Sequence, residues 1–244
     1  MAVTAESVGR KLTVGILGGM GPEATVDLQR RIIQLTPATG DSDHIRMLVD
    51  CDPSVPSRIA AIIEGSGPSP APALIAMARG LVTQGADFLC MPCNTAHHYF
   101  HDIASQSPVP MINMLEITAE CVHRTQPQQR RVGLLASTAL QITSLYEPHF
   151  QARDKELLYP TPQTQEQLMD LILATKGQQQ QLPADILGEA AGQLIDAGAQ
   201  CLMIACTELS LYTAQLQGLP APVFDTADLL AREVVDRALG GEPV

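Results

Sequence analysis

The chain carries one phrase twice, Gly85-Ala86-Asp87-Phe88-Leu89-Cys90-Met91-Pro92-Cys93-Asn94-Thr95 and Gly198-Ala199-Gln200-Cys201-Leu202-Met203-Ile204-Ala205-Cys206-Thr207-Glu208. Each copy reads as a glycine turn, a buried strand and a second turn that bears a cysteine. With Gly85 laid on Gly198, Cys93 falls on Cys206. Two further stretches recur in the same order: Val14-Gly15-Ile16-Leu17 matches Val132-Gly133-Leu134-Leu135, and Val109-Pro110-Met111-Ile112-Asn113 matches Ala221-Pro222-Val223-Phe224-Asp225. Three matches in one order imply duplication of a lobe, with a period far above the roughly 20–50 residues of solenoid units.

Between these strands the apolar spacing is helical. Ala24, Leu28, Ile32 and Leu35 mark a helix over Glu23–Leu35 after the turn Gly18-Gly19-Met20-Gly21-Pro22. Further helices are expected at 59–63, 73–84, 115–124, 143–151, 165–175, 186–196 and 229–239, a strand at 45–49 and a polar loop at 178–181. Strands alternating with helices predict an α/β fold of two similar lobes with parallel sheets, whose ligands bind beyond the carboxyl ends of the strands. Both duplicated cysteines fall at such ends. The domain reading assigns 11–113 and 219–244 to an N-terminal lobe with Cys93, and 114–218 to a C-terminal lobe with Cys206, with the active site in the cleft between them.

The 244 residues are 45% hydrophobic, enough for packed cores, and the formal net charge of −11 argues against nucleic acid or an anionic membrane as partner. Six cysteines without the dense spacing of a disulfide scaffold point to a reducing, cytoplasmic setting. Residues 1–10 lack the apolar core of a signal peptide, and no later run reaches the ~20 apolar residues of a membrane span.

Two matched thiols facing one cleft suit chemistry on both faces of one carbon, as racemisation or epimerisation requires. Cysteine reacts as thiolate, and a following helix N-terminus lowers its pKa. The segments after Cys93 and Cys206 read as such helices. One thiolate would remove a Cα proton while the opposite thiol returns one. Asn94, Thr95 and Thr207 could then hold the substrate carboxylate as carbanion charge develops. Arg58, after a Pro-rich loop, and Lys176, after a helix, are candidates for a second carboxylate.

Other signals compete. Cys90-Met91-Pro92-Cys93 is a CxxC, and Cys90, Cys93, His97 and His101 have ligand-like spacing, so redox and metal roles are open. Gly19-x-Gly21-x-x-Ala24 fits a loose dinucleotide fingerprint, or equally a tight turn beside a substrate carboxylate. Of three lysines, Lys11, Lys155 and Lys176, none sits in a convincing pyridoxal phosphate loop. A non-catalytic amino-acid sensor is a further alternative.

At Gly15-Ile16-Leu17-Gly18-Gly19-Met20-Gly21-Pro22, Met91-Pro92-Cys93-Asn94-Thr95-Ala96-His97 and Ala205-Cys206-Thr207-Glu208 the chain resembles the aspartate racemases of the aspartate/glutamate racemase superfamily. The resemblance implies two four-stranded parallel-sheet lobes about a pseudo-twofold axis, no cofactor, an acidic amino-acid substrate, often a homodimer, and the catalytic pair Cys93 and Cys206. It also implies that Arg58 and Lys176 hold the distal carboxylate. Asn94, Thr95, Thr138 and Thr207 are expected at the α-carboxylate end, and Met20 and Gly21 of the first turn among the substrate-binding residues. Family members usually have threonine after the loop arginine, where this chain has Ile59. Glutamate racemases, hydantoin racemases, maleate isomerases and decarboxylases belong to the same superfamily.

Overall fold

A computed structural model describes residues 10–177 and 185–240. The first half runs β1 (Val14–Gly18), α1 (Pro22–Leu35), β2 (Met47–Cys51), α2 (Ala71–Thr83), β3 (Phe88–Cys90), α3 (Phe100–Ala104) and α4 (Met114–Thr125). The second runs β4 (Arg131–Ala136), α5 (Thr138–Thr143), α6 (Glu147–Gln151), β5 (Glu156–Leu158), α7 (Pro162–Lys176), α8 (Ile186–Asp196), β6 (Cys201–Ala205), β7 (Val223–Asp225) and α9 (Thr226–Leu239). All strand pairs are parallel, in the orders β2-β1-β3 and β5-β4-β6-β7. The central strands β1 and β6 are buried at every residue, as strands are when helices cover both faces of a sheet.

The duplication holds down to individual contacts. Gly85 and Gly198 both have positive φ, +100° and +98°, a conformation that costs a residue with a Cβ. Leu89 N–H donates to Pro110 O at 2.9 Å and Leu202 N–H to Pro222 O at 2.8 Å. A Cβ on Gly15 would meet Leu89, Ala86 and Leu81, and one on Gly133 would meet the equivalent Leu202, Ala199 and Leu194. In both lobes the first strand carries a glycine at the point where the helix before the cysteine strand lies directly against it.

The lobes differ where the repeat differs. Four strands were expected in each, but the first sheet has three, with the fourth reduced to one bridge between Leu89 and Met111. Pro92 stands where the second lobe has Ala205, and proline has no N–H for the ladder. Accordingly β3 stops at Cys90, whereas β6 runs on to Ala205 and pairs with β7 over three residues. The segment placed in the first lobe from residue 219 is split, since β7 joins the second sheet while α9 packs against α1 and the first core. The single helix expected over 143–151 is broken at Ser144, whose φ is +50°. The short edge strand β5 has no counterpart in the sequence reading, and the glutamine-rich stretch lies outside the described residues.

The closing helices are capped alike and exchanged. The Asn113 side chain accepts the N–H groups of Leu115 and Glu116, and Asp225 that of Ala227, satisfying donors a helix start leaves free. From there α4 sends Leu115, Ala119 and Val122 into the core of the second sheet, and α9 sends Leu230, Val234 and Val235 into that of the first. Among the described residues no helix is long and apolar enough to cross a membrane.

Because the nearest atoms to an added Cβ are 2.6 Å away at Gly15 and 2.7 Å at Gly133, Gly15→Ala and Gly133→Ala should each destabilise the protein by about 1–3 kcal/mol through overpacking. Thermal unfolding should show two drops of similar size. A drop at one site alone would contradict equivalent packing in the two lobes.

Candidate active site

Strand ends deliver the two duplicated cysteines to one place. Cys93 follows β3 by a short turn in which its N–H donates to Met91 O at 2.9 Å, and Cys206 directly follows β6. Both are 7% exposed, and both line a cavity of about 160 Å³ between the lobes. Met20, Arg58, Asn94, Thr95, Lys176 and Thr207 line it too. Of the ten residues singled out from sequence, these eight therefore converge. Gly21 lines a neighbouring cavity instead. Thr138 lines neither cavity: its N–H donates to Met169 Sδ and its hydroxyl accepts from Gln165. The adjacent Ser137 takes its place in the lining.

The helix N-termini expected after the cysteines are 3-10 segments, Thr95–Tyr99 and Leu209–Leu216. Neither cysteine is therefore followed directly by the N-terminus of an α-helix. The stronger influence on Cys206 is Glu208, a residue without a role in the sequence reading. The Cys206 thiol donates to Glu208 Oε2 at 3.1 Å. Burial first, and then the Glu208 charge, raise the Cys206 pKa well above its ordinary value, with Lys176 opposing. The other Glu208 oxygen forms an ion pair with Lys176 Nζ, at the end of α7. Burial disfavours the lysine's charge, but the Glu208 carboxylate outweighs that and its pKa is raised.

Arg58 is held by main chain. Its Nη1 donates to Val55 O at 3.2 Å and Pro56 O at 3.0 Å, and its Nη2 to Met20 O at 3.3 Å. These contacts tie the loop of residues 52–58 to the first turn and use only part of the five-donor fork. Gly19 makes that approach possible, since a Cβ there would lie 2.3 Å from the Asp52 backbone.

Asn94 is more committed than its sequence position suggests. Its Oδ1 accepts from Tyr146 OH at 2.6 Å and its Nδ2 donates to Thr226 Oγ1 at 3.0 Å. Thr95 and Ser137 face each other across the cleft with hydroxyls 3.2 Å apart, and the Thr207 hydroxyl donates to Pro92 O at 3.3 Å.

The rival CxxC and metal patterns do not assemble. Cys90 sits in the core beside α9 and Cys93 in the core beside α2, and burial drives the Cys90 thiol far up. His97 is buried, with Nδ1 2.9 Å from Cys93 O and Nε2 3.1 Å from Met114 N. A main-chain N–H only donates, so Nε2 accepts and the proton sits on Nδ1. Burial lowers this imidazole to about 4, so His97 is a neutral brace between Cys93 and α4. Among the described residues no group of three or more His, Cys, Asp or Glu is placed to hold a metal ion.

Known proteins share this architecture. The Picrophilus torridus aspartate racemase superposes with a TM-score of 0.79 at 27% identity, over 96% of each chain. A putative Asp/Glu racemase from Yersinia pestis gives 0.76 at 22% identity, over 93% of this chain and 99% of that one, a likeness of fold. In sequence, the broad specificity amino-acid racemase RacX of Bacillus subtilis is 27% identical over 93% of this chain and 98% of its own length. The Asp/Glu/Hydantoin racemase family model matches residues 17–234, and the chain belongs to that family.

Proposed function

We propose that this protein interconverts the L and D forms of aspartate without a bound cofactor, with Cys93 and Cys206 as bases on opposite faces of Cα. The observation that carries this reading is the pair of equally buried thiols, on equivalent strand ends of a duplicated lobe, lining one cavity. One cysteine, as thiolate, takes the Cα proton. The opposite thiol then gives its proton to the other face, and the enantiomers exchange these roles.

The Cα carbanion needs its α-carboxylate charge stabilised. Thr95 and Ser137 share one hydrogen bond, which leaves one of their two O–H groups to donate to it, with Ser137 in the role first given to Thr138, while Thr207 donates only by turning its O–H away from Pro92 O. Arg58 and Lys176 are the cations for the side-chain carboxylate. Cofactor independence is supported by the lysines, each already engaged. Lys11 donates to the carbonyls of Ser42 and Asp43, Lys155 to those of Gln126 and Gln129, and Lys176 pairs with Glu208.

A broader amino-acid range is the second reading. Ile59, Ile172 and Leu173 give the cavity an apolar wall, and Glu208 already neutralises Lys176. The named breadth of the Bacillus subtilis relative adds weight.

Chiral chromatography of metal-free, pyridoxal-free protein with L-aspartate, L-glutamate and L-alanine tests both readings, and aspartate should rank first. Cys93→Ala and Cys206→Ala should each lower racemisation at least about a hundredfold, and near-full turnover by either variant would contradict the mechanism. Arg58→Ala should raise KM for aspartate about tenfold or more through the lost charged hydrogen bonds, with little change for alanine. Equal losses on both substrates would remove Arg58 from carboxylate recognition.

A further inference from the structure

The two lobes part company at one chemically important position. When the repeated phrases are aligned, Thr95 falls on Glu208. Thr95 makes a neutral hydroxyl contact with Ser137. Glu208 is a carboxylate, 5% exposed, with one oxygen on the Cys206 thiol and the other on Lys176. The Cys93 thiol has no hydrogen-bond partner among the described residues. One of two otherwise matched thiols thus has an acid–base partner of its own.

That partner also borders a second cavity. Arg58, Lys176 and Glu208 line the reaction cavity and an adjoining cavity of about 220 Å³. The exposed Glu23 and Pro53 belong to the second cavity only. Glu208 therefore borders, besides the cavity of the two cysteines, a second one whose wall includes exposed residues.

We propose that Glu208 is the proton reservoir of Cys206, so that the two faces of the substrate meet bases charged in different ways. The proposal rests on the two-cysteine reading above. The Cys206 S–H proton passes to Glu208 Oε2 and leaves a thiolate. That thiolate takes the Cα proton and becomes a thiol again, while the Cys93 thiol protonates the opposite face and is left as thiolate. Glu208 returns its proton to solvent through the second cavity, and Cys93 regains one from solvent. Lys176 holds Glu208 beside the thiol and balances its charge while the carboxylate is ionised.

Racemisation rates cannot resolve this asymmetry. The enantiomers have equal free energy, so any variant changes kcat/KM alike in both directions. Elimination from β-chloroalanine can, because it is irreversible and each enantiomer presents its Cα proton to one base. The base takes that proton, the C–H electron pair becomes the Cα=Cβ bond, and chloride leaves. Water then converts the aminoacrylate to pyruvate and ammonia.

Pyruvate release from L- and D-β-chloroalanine should be compared for the intact protein, Cys93→Ser, Cys206→Ser, Glu208→Gln and Glu208→Asp. The cysteine variants assign each enantiomer to its base. Glu208→Gln, which keeps a hydrogen-bond acceptor but not the proton store, should slow elimination about a hundredfold for the Cys206 enantiomer. Elimination from the other enantiomer should continue, which also reports that the variant is folded, and Glu208→Asp should restore part of the loss. Equal loss from both enantiomers, or none from either, overturns the proposal. If the cysteine variants do not divide the enantiomers between them, the two-cysteine reading itself fails. If they do and Glu208→Gln does not follow Cys206, only the reservoir fails.

Discussion

The cleft exists because each half of the chain lends its closing helix to the other half. α4 leaves the first lobe and buries Leu115, Ala119 and Val122 on the second sheet, and α9 leaves the second lobe and buries Leu230, Val234 and Val235 on the first. Burial of each of these leucines and valines contributes about 1.5–3 kcal/mol. The two helices also pack on one another. Neither lobe is therefore complete alone, and the carboxyl ends of β3 and β6 are held facing one cavity. Polar contacts refine that placement: Asn94 of the first half is fixed by Tyr146 and Thr226 of the second, and Thr207 reaches back to Pro92.

Within that frame the charge distribution is less symmetric than the backbone. The reaction cavity holds Arg58 and Lys176 against the single carboxylate of Glu208. If the substrate is an acidic amino acid, as proposed, it would have to compete with Glu208 for Lys176, whereas the hydrogen bonds of Arg58 among the described residues go to main-chain carbonyls. On the proposed reading, recognition of a distal carboxylate would fall first to Arg58. The state of Cys206 is bound up with the same lysine, since Glu208 touches both. In the proposed mechanism, substrate charge and thiol chemistry would thus share one ion pair.

Much of this was legible in the repeated phrase, because a buried parallel strand and its turn leave a strong local pattern and duplication repeats it. The cysteines, the first strands and the helices between them follow from residues close in sequence. What was not legible depends on contacts distant in the chain. Glu208 stands inside the motif, yet its setting comes from Lys176, separated by 32 positions, and from the backbone turn that aims its carboxylate at Cys206. Asn94 looked free for substrate because Tyr146 and Thr226, which hold its amide, lie 52 and 132 positions away in the second half of the chain. Thr138 was misplaced by one residue because β4 ends at Ala136 and presents Ser137, not Thr138, at the cavity. The early end of β3 goes with Pro92, which has no N–H for the ladder where the second half has Ala205, a difference small enough to vanish in the likeness of the two phrases.

The central claim is that two thiols act on opposite faces of one carbon, and the fate of the Cα proton tests it most directly. L-aspartate would be incubated with the protein in deuterated buffer and followed by proton NMR and chiral separation at low conversion. The account predicts that the D-aspartate formed carries deuterium at Cα while the remaining L-aspartate keeps its proton, because the product is protonated by a base that never held the substrate's hydrogen. D-aspartate that retains the original proton would show one base serving both faces and would contradict the account.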